Sequence, residues 1–293
     1  RTTRITREDL LSHPAFEDIP QSGDETGQVG GARIELVQSG DETCMGSCYQ
    51  QIPLRVFPSF AFENEPACLL YLITLTTGFL DGDGHVMDLL ARPGTRAVVT
   101  GQSAARIHPA VNSFATQQWT VDLEEDAWVV ALPGVTIPYR GSRYYQRGRV
   151  TMAPGSRLIW GDIWLPGRYD RGNLSERFVF DRLVQDFEVR REDRLVYRDC
   201  FQWNGPWTSQ QIQWYVGEHL ASASLFVGGP LPESLGKPNP HVCRSVFPLE
   251  SGDTCIRWCG HPMQVTADLV NVALGIAGVW TGGQGAAPWL LAS

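Results

Sequence analysis

Lysine is almost missing from this chain: Lys237 stands alone among 24 basic residues, and arginine supplies the rest. That bias fits either biased base composition or guanidinium forks serving a protein interface. Basic residues are also outnumbered, 24 against 32 acidic, for a net charge of -8 and a pI near 5.3. This balance argues against general nucleic-acid binding, which requires a broad basic face. No run of 18 uncharged apolar residues occurs. The nearest stretch, 263–280, carries Asp268 and Asn271 near its middle and reads as a buried helix, not a membrane span. The opening RTTRITREDL lacks the basic-then-apolar layout of a secretory leader, although the chain does not begin with Met. Seven cysteines, an odd count spread over 293 residues, do not suggest a disulfide framework. A soluble, cytoplasmic protein is expected.

The usual catalytic signatures are missing too. There is no Gly-x-Ser-x-Gly, no phosphate-binding Gly-x4-Gly-Lys-Ser/Thr, no His-Glu-x-x-His and no Cys-x-x-Cys. The six histidines are scattered, and spacing alone assembles no nucleophile, base and orienting group. No internal repeat defines blades or solenoid coils.

What is present is a β-rich pattern. Hydrophobic residues make up 43% of the chain, enough for a sizeable core, and Gly 30 with Pro 19 supply many turns. Residues 1–30 read as a flexible lead-in with one short helix near Arg7–Leu11, and 31–293 as a single domain. Strands are expected at 32–38, 52–57, 68–76, 85–91, 95–101, 114–123, 127–132, 148–153, 156–165, 174–180, 187–193 and 195–203. In 114–123, Ala115, Gln117, Trp119, Val121 and Leu123 fall on one face and Phe114, Thr116, Gln118, Thr120 and Asp122 on the other. Pro93-Gly94, Pro154-Gly155 and Pro166-Gly167 mark turns. Residues 209–229 allow either a helix or a turn followed by a strand. Residues 263–280 predict a helix, with Met263, Ala267, Val270, Leu274 and Ala277 as its apolar positions. Many short strands with few helices imply a large antiparallel or helically wound β structure.

Three clusters could carry chemistry. Asp81, Asp83 and His85 crowd a Gly-softened turn and could hold a divalent cation, though Asp and Gly are also ordinary turn residues. His241, Cys243, Cys255, Cys259 and His261 offer thiolate and imidazole ligands, at a spacing that matches no standard zinc module. Cys44 and Cys48 are expected in a hairpin turn. Asp162, inside the apolar strand Trp160-Gly161-Asp162-Ile163, must be paired or hydrogen-bonded, and Arg168 just past the turn is the candidate partner. The alternative to a structural pair is a polar passage through the β core. Trp119, Trp160, Trp164, Trp203 and Trp207 are expected as core or interface anchors.

Taken in order, several segments resemble the urease accessory protein UreD (UreH) family. They are Thr77-Gly78-Phe79-Leu80-Asp81-Gly82-Asp83, then Pro93-Gly94-Thr95 leading into Val98–His108, Leu132-Pro133-Gly134, Trp160-Gly161-Asp162-Ile163, Gly167-Arg168 and Pro288-Trp289. Thr77, Asp81, Gly134 and Asn173 depart from the family pattern, marking a divergent member. The resemblance implies a mainly β, two-layer, β-helix-like body with about two helices near the C-terminus. It implies a non-enzymatic maturation factor that binds a UreF-like protein, recruits a UreG-like GTPase and docks on apo-urease, with a homodimer of such complexes as one assembly. No cofactor would be tightly bound, and nickel would be in transit through a polar interior. Asp83, Asp162 and His85 are the passage candidates, Gly78, Gly82 and Arg168 structural motif residues, and Cys255, Cys259 and His261 a weaker metal set. A conduit must release its ion, which favours spaced carboxylates over a tight Cys/His cage. Two other readings stay open: a β-fold hydrolase using Asp81 and Asp83, and a stand-alone metal-binding module using the C-terminal Cys and His residues.

Overall fold

The computed structural model describes residues 4–19, 27–57, 60–62, 65–168 and 175–281. In chain order the strands are β1 (Val29–Ser39), β2 (Glu42–Gln51), β3 (Leu54–Val56), β4 (Phe60–Phe62), β5 (Glu65–Thr74), β6 (Gly84–Ala91), β7 (Arg96–Gly101), β8 (Ala105–Ile107) and β9 (Ala115–Leu123). They continue as β10 (Trp128–Leu132), β11 (Val135–Pro138), β12 (Arg143–Met152), β13 (Arg157–Trp164), β14 (Arg182–Arg191), β15 (Arg194–Asn204), β16 (Ala221–Gly228), β17 (Val242–Pro248) and β18 (Thr254–Gly260). Two helices, α1 (Ser209–Tyr215) and α2 (Pro262–Trp280), lie in the last third.

Two sheets face each other. One runs β15-β14-β12-β9-β6-β1-β2, the other β17-β18-β16-β13-β10-β7-β5-β3, with β4 on β5 and β11 beside β13. From β5 to β14 the chain passes alternately between them, and each return lays down a parallel neighbour. Parallel pairing needs a crossover, and here the opposite sheet provides it, which makes the winding helical. Corners at Pro93-Gly94 and Pro154-Gly155 turn the chain from the first sheet to the second. Antiparallel strands close both ends of the coil: β2 and β15 in one sheet, β3 and β16–β18 in the other.

The expected mainly β, two-layer body with two C-terminal helices is what forms. Its core holds Trp119 and Trp160 edge-to-face at 5.3 Å, with Phe187 stacked on Trp160 at 4.9 Å. On β9 Ala115, Trp119, Val121 and Leu123 are buried as read, but the opposite face is polar and open only beyond Gln118: Thr116 and Gln118 are buried too, and Gln118 bonds the backbone of Leu11. On the outer face of the second sheet, α2 buries Val265, Leu269, Val272, Ala273, Ile276 and Ala277 against Leu225, Ile256 and Trp258. The helix is where the periodicity puts it, but the buried face differs: Met263 is 77% exposed. The segment is apolar nearly all round, so its own pattern does not set its rotation. Asp268 helps to set it, accepting hydrogen bonds from Trp258 Nε1 (2.7 Å) and Arg244 (3.1 Å). Among the described residues α2 is the one helix with membrane-spanning length and hydropathy, and it packs as a core helix.

Other expectations change. Cys44 and Cys48 lie within β2, not in a turn. Residues 175–178 form a turn where a strand was expected, and residue 174 lies outside the described set. The 209–229 segment divides into α1, closed by a Thr208/Gln211 capping box, and β16. Residues 4–19 lie against the first sheet: Phe16 is buried and stacks on Phe114 at 4.3 Å, and Gln118 bonds the backbone of Leu11. The lead-in expected to be loose is docked over that span, and in place of one short helix it forms two single 3-10 turns, Arg7–Asp9 and Pro14–Phe16. Pro288-Trp289 and Asn173 lie outside the described residues.

Candidate functional site

On three adjacent strands of the first sheet the inward positions read apolar, glutamine, then apolar or glycine. They are Ala115-Gln117-Trp119 on β9, Tyr144-Gln146-Gly148 on β12 and Leu183-Gln185-Phe187 on β14. The register sets the glutamines side by side, Gln117 opposite Gln146 and Gln146 opposite Gln185, and places His85 of β6 opposite Gln117. Neighbouring strands lie ~4.8 Å apart, so His85, Gln117, Gln146 and Gln185 form one polar rung across the interior. Trp119, Trp160 and Phe187 belong to the apolar cluster on one side of it, and Phe79, Tyr144 and Trp164 to that on the other.

The second sheet answers this rung with Asp162. Its carboxylate is buried and accepts from Gln146 Nε2 at 2.6 Å and Trp160 Nε1 at 2.7 Å. Burial pushes its pKa up to about 6, against the pull of those two bonds. The rung continues outward. Trp164 Nε1 donates to Gln185 at 2.8 Å, Gln185 Nε2 donates to Asp199 at 3.3 Å, and Asp199 pairs with the partly exposed Arg257 at 2.9 Å. Burial opposes the charge on Arg257, but Asp199 wins and raises its pKa. At the other end Tyr144 donates its hydroxyl to Gln117 at 3.0 Å. A cavity of about 50 Å³ meets Gln117, Gln146 and Asp162 on the inside and Thr76, Gln102 and Ser103 at the surface loops. A water needs roughly 10–15 Å³ of such space, so a few waters or a partly hydrated cation fit.

The expected site residues divide. Asp162 sits at the centre, but Arg168 is not its partner: Arg168 is exposed and makes a two-pronged pair with Glu176 at 3.0 and 2.9 Å. The turn after β13 carries Arg168 out to the surface, beyond reach of a carboxylate that points inward. His85 is fully buried on the rung with both ring nitrogens unpartnered. It lies 4.1 Å from the Phe79 ring, and burial holds its pKa down at about 3. Asp83 is buried but committed, its two oxygens accepting the backbone N–H groups of Gln28 (2.7 Å) and Leu80 (2.8 Å). Burial is the largest influence and raises its pKa. Asp81 likewise caps the N–H groups of Val111, Asn112 and Ser113 at 2.8–2.9 Å. The two carboxylates are turn locks, not a pair flanking a bond, and with His85 they do not converge as ligands.

Gly78 and Gly82 hold the same turn. Both take positive φ, 140 and 81, and a Cβ on Gly78 would meet the Arg106 carbonyl oxygen at 2.2 Å. The C-terminal set also separates. Cys255 and Cys259 are four residues apart on β18, roughly 13 Å at strand rise, and Cys255 is buried beside the Tyr197 hydroxyl at 3.3 Å. Gln117, Gln146, Gln185, Asp199 and Arg257 were not anticipated. Their signal is the glutamine recurring at one inward position per strand, visible once the strands are in register.

Comparison with known proteins identifies the family of this chain. Residues 28–284 match the family described as UreD urease accessory protein. The chain is 33% identical over 169 residues to urease accessory protein UreD 3 of Methylorubrum populi, covering 56% of this chain and 53% of that protein. It is 24% identical over 258 residues to UreD of Sporosarcina pasteurii, covering 84% and 97%. UreD 2 of Streptomyces griseus subsp. griseus is 32% identical over 167 residues, covering 56% and 53%. The aligned region thus spans about half the length of the Methylorubrum and Streptomyces relatives. With a family match across most of its length and a β body wound as the resemblance implies, this chain belongs to the UreD urease accessory protein family.

Proposed function

We propose that this chain is a non-enzymatic, cytoplasmic scaffold in urease maturation. It binds a UreF-like protein, brings a UreG-like GTPase to apo-urease and passes nickel through its interior. The observation that carries this reading is the polar rung centred on Asp162, which lies between two apolar clusters and meets a cavity reaching the surface. A lone buried carboxylate with amide and indole donors is a weak ligand for a borderline cation, and weak ligands release what they hold. Glutamine carbonyls along the rung add neutral oxygen donors, and His85 an unprotonated imidazole. Partner contact falls to exposed aromatics: Trp214 is 84% and Tyr215 63% exposed on α1, and such side chains dominate interface energetics.

The test is co-expression with a urease operon whose own UreD gene is deleted, followed by nickel analysis of the purified urease. The wild-type chain should restore loading, and Asp162→Ala should reduce it while the UreF-like protein is still captured. Normal loading with Asp162→Ala removes that residue from the route. Failure of the wild-type chain to capture the UreF-like protein removes the scaffold reading.

A further inference from the structure

Sequence spacing groups Cys255, Cys259 and His261, but the sheet brings a different trio together. Cys243 on β17 and Cys259 on β18 are direct partners in the antiparallel register. His219 precedes β16, the strand on the other side of β18, and its segment is pinned there: Leu220 N–H donates to the Gly260 carbonyl at 3.1 Å. One ligand atom from each of His219, Cys243 and Cys259 lies within 4.8 Å of the other two. The three come from separate segments, so no linear motif announces them.

The donor set is two thiols and an imidazole. Ligand atoms around tetrahedral Zn²⁺ sit about 3.5–3.8 Å apart, given Zn–S near 2.3 Å and Zn–N near 2.0 Å. The 4.8 Å bound on the trio is within about 1 Å of that spacing. Cys243 is exposed and His219 half-buried, so both have room to turn. Carboxylates are missing from the trio, which disfavours Mg²⁺ and Ca²⁺ and favours a thiophilic ion. A cavity of about 390 Å³, walled in part by Trp164, Tyr215, His219 and Cys259, adjoins the trio and leaves space for a fourth ligand.

We propose that His219, Cys243 and Cys259 form a surface site for one thiophilic divalent cation, Zn²⁺ fitting best, with its fourth position open to water. Binding converts both thiols to thiolates and releases two protons to solvent, so affinity rises with pH. The site lies apart from Asp162 and does not depend on the nickel route.

The experiment uses the full chain, reduced and stripped with a chelator, titrated with Zn²⁺ alone against a chromophoric chelator. One equivalent should bind, and Co²⁺ in its place should give thiolate-to-metal charge-transfer absorption. Cys243→Ser and His219→Ala, both away from the core, should each weaken binding at least tenfold with an unchanged circular dichroism spectrum. Cys255→Ser should bind as the wild type does. Wild-type affinity in Cys243→Ser, or no binding by the fully reduced chain, overturns the proposal. Because the readout is Zn²⁺ on the isolated chain, its failure leaves the urease-maturation reading standing, and the reverse holds.

Discussion

Replacing Asp162 with Asn tests the buried carboxylate directly. Its folded-state pKa of about 6 stands above the ordinary 3.8. Between those values the unfolded chain has lost the proton and the folded chain keeps it. Folding therefore takes up a proton there, and stability falls as pH rises from about 4 to 6. At neutral pH the ionised group costs about 3 kcal/mol relative to an unperturbed one, at ~1.4 kcal/mol per pKa unit. Asn carries no such cost. It does turn one acceptor into a donor facing Gln146 or Trp160, a penalty of ~1–3 kcal/mol that does not vary with pH. His85 works oppositely, losing stability as pH falls below 6.5 towards about 3, but it is common to both proteins and cancels in the difference. The stability of Asp162→Asn relative to wild type should thus rise by about 2 kcal/mol between pH 4 and pH 7, or roughly 4 °C in melting temperature at this chain length. Denaturant unfolding of both proteins across that range measures it. A flat difference, or one that falls with pH, would refute the assignment of a proton-holding carboxylate at this position.

Truncating Trp160 to Ala removes a ring packed between Trp119 and Phe187 together with a donor to Asp162. A loss of about 3–5 kcal/mol is expected in chemical unfolding. Gly78→Ala forces a Cβ against the Arg106 carbonyl at positive φ, and should cost at least ~1–3 kcal/mol, read as a lowered melting temperature. Arg168→Ala should change stability by only ~0–1 kcal/mol, since its pair with Glu176 is at the surface; a larger loss would point back to an interior role. Trp214→Ala should leave stability within ~0.5 kcal/mol yet weaken capture of a UreF-like protein at least tenfold, about 1.4 kcal/mol, in a pull-down titration.

Much of this molecule is determined locally. Period-two alternation in 114–123, Pro-Gly corners and the apolar stretch at 263–280 are properties of neighbouring residues, and they yield a wound β body with a late helix. The apolar surroundings of Asp162 already require that its carboxylate be hydrogen-bonded, but not by whom. Tertiary structure decided that, because β13 and β12 face each other from opposite sheets and Gln146 is 16 residues away from Asp162. It also decided the polar rung, since a glutamine in one strand says nothing about the glutamines of the next until register aligns them. The rotation of α2 was settled by the sheet beneath it, because a helix apolar on most faces carries no phase of its own. The thiol–imidazole trio arose the same way: Cys259 lies four residues from Cys255 along the strand, yet directly beside Cys243 across it. Sequence distance measures the backbone path, whereas ligands meet across strands, and only the paired sheet converts one into the other.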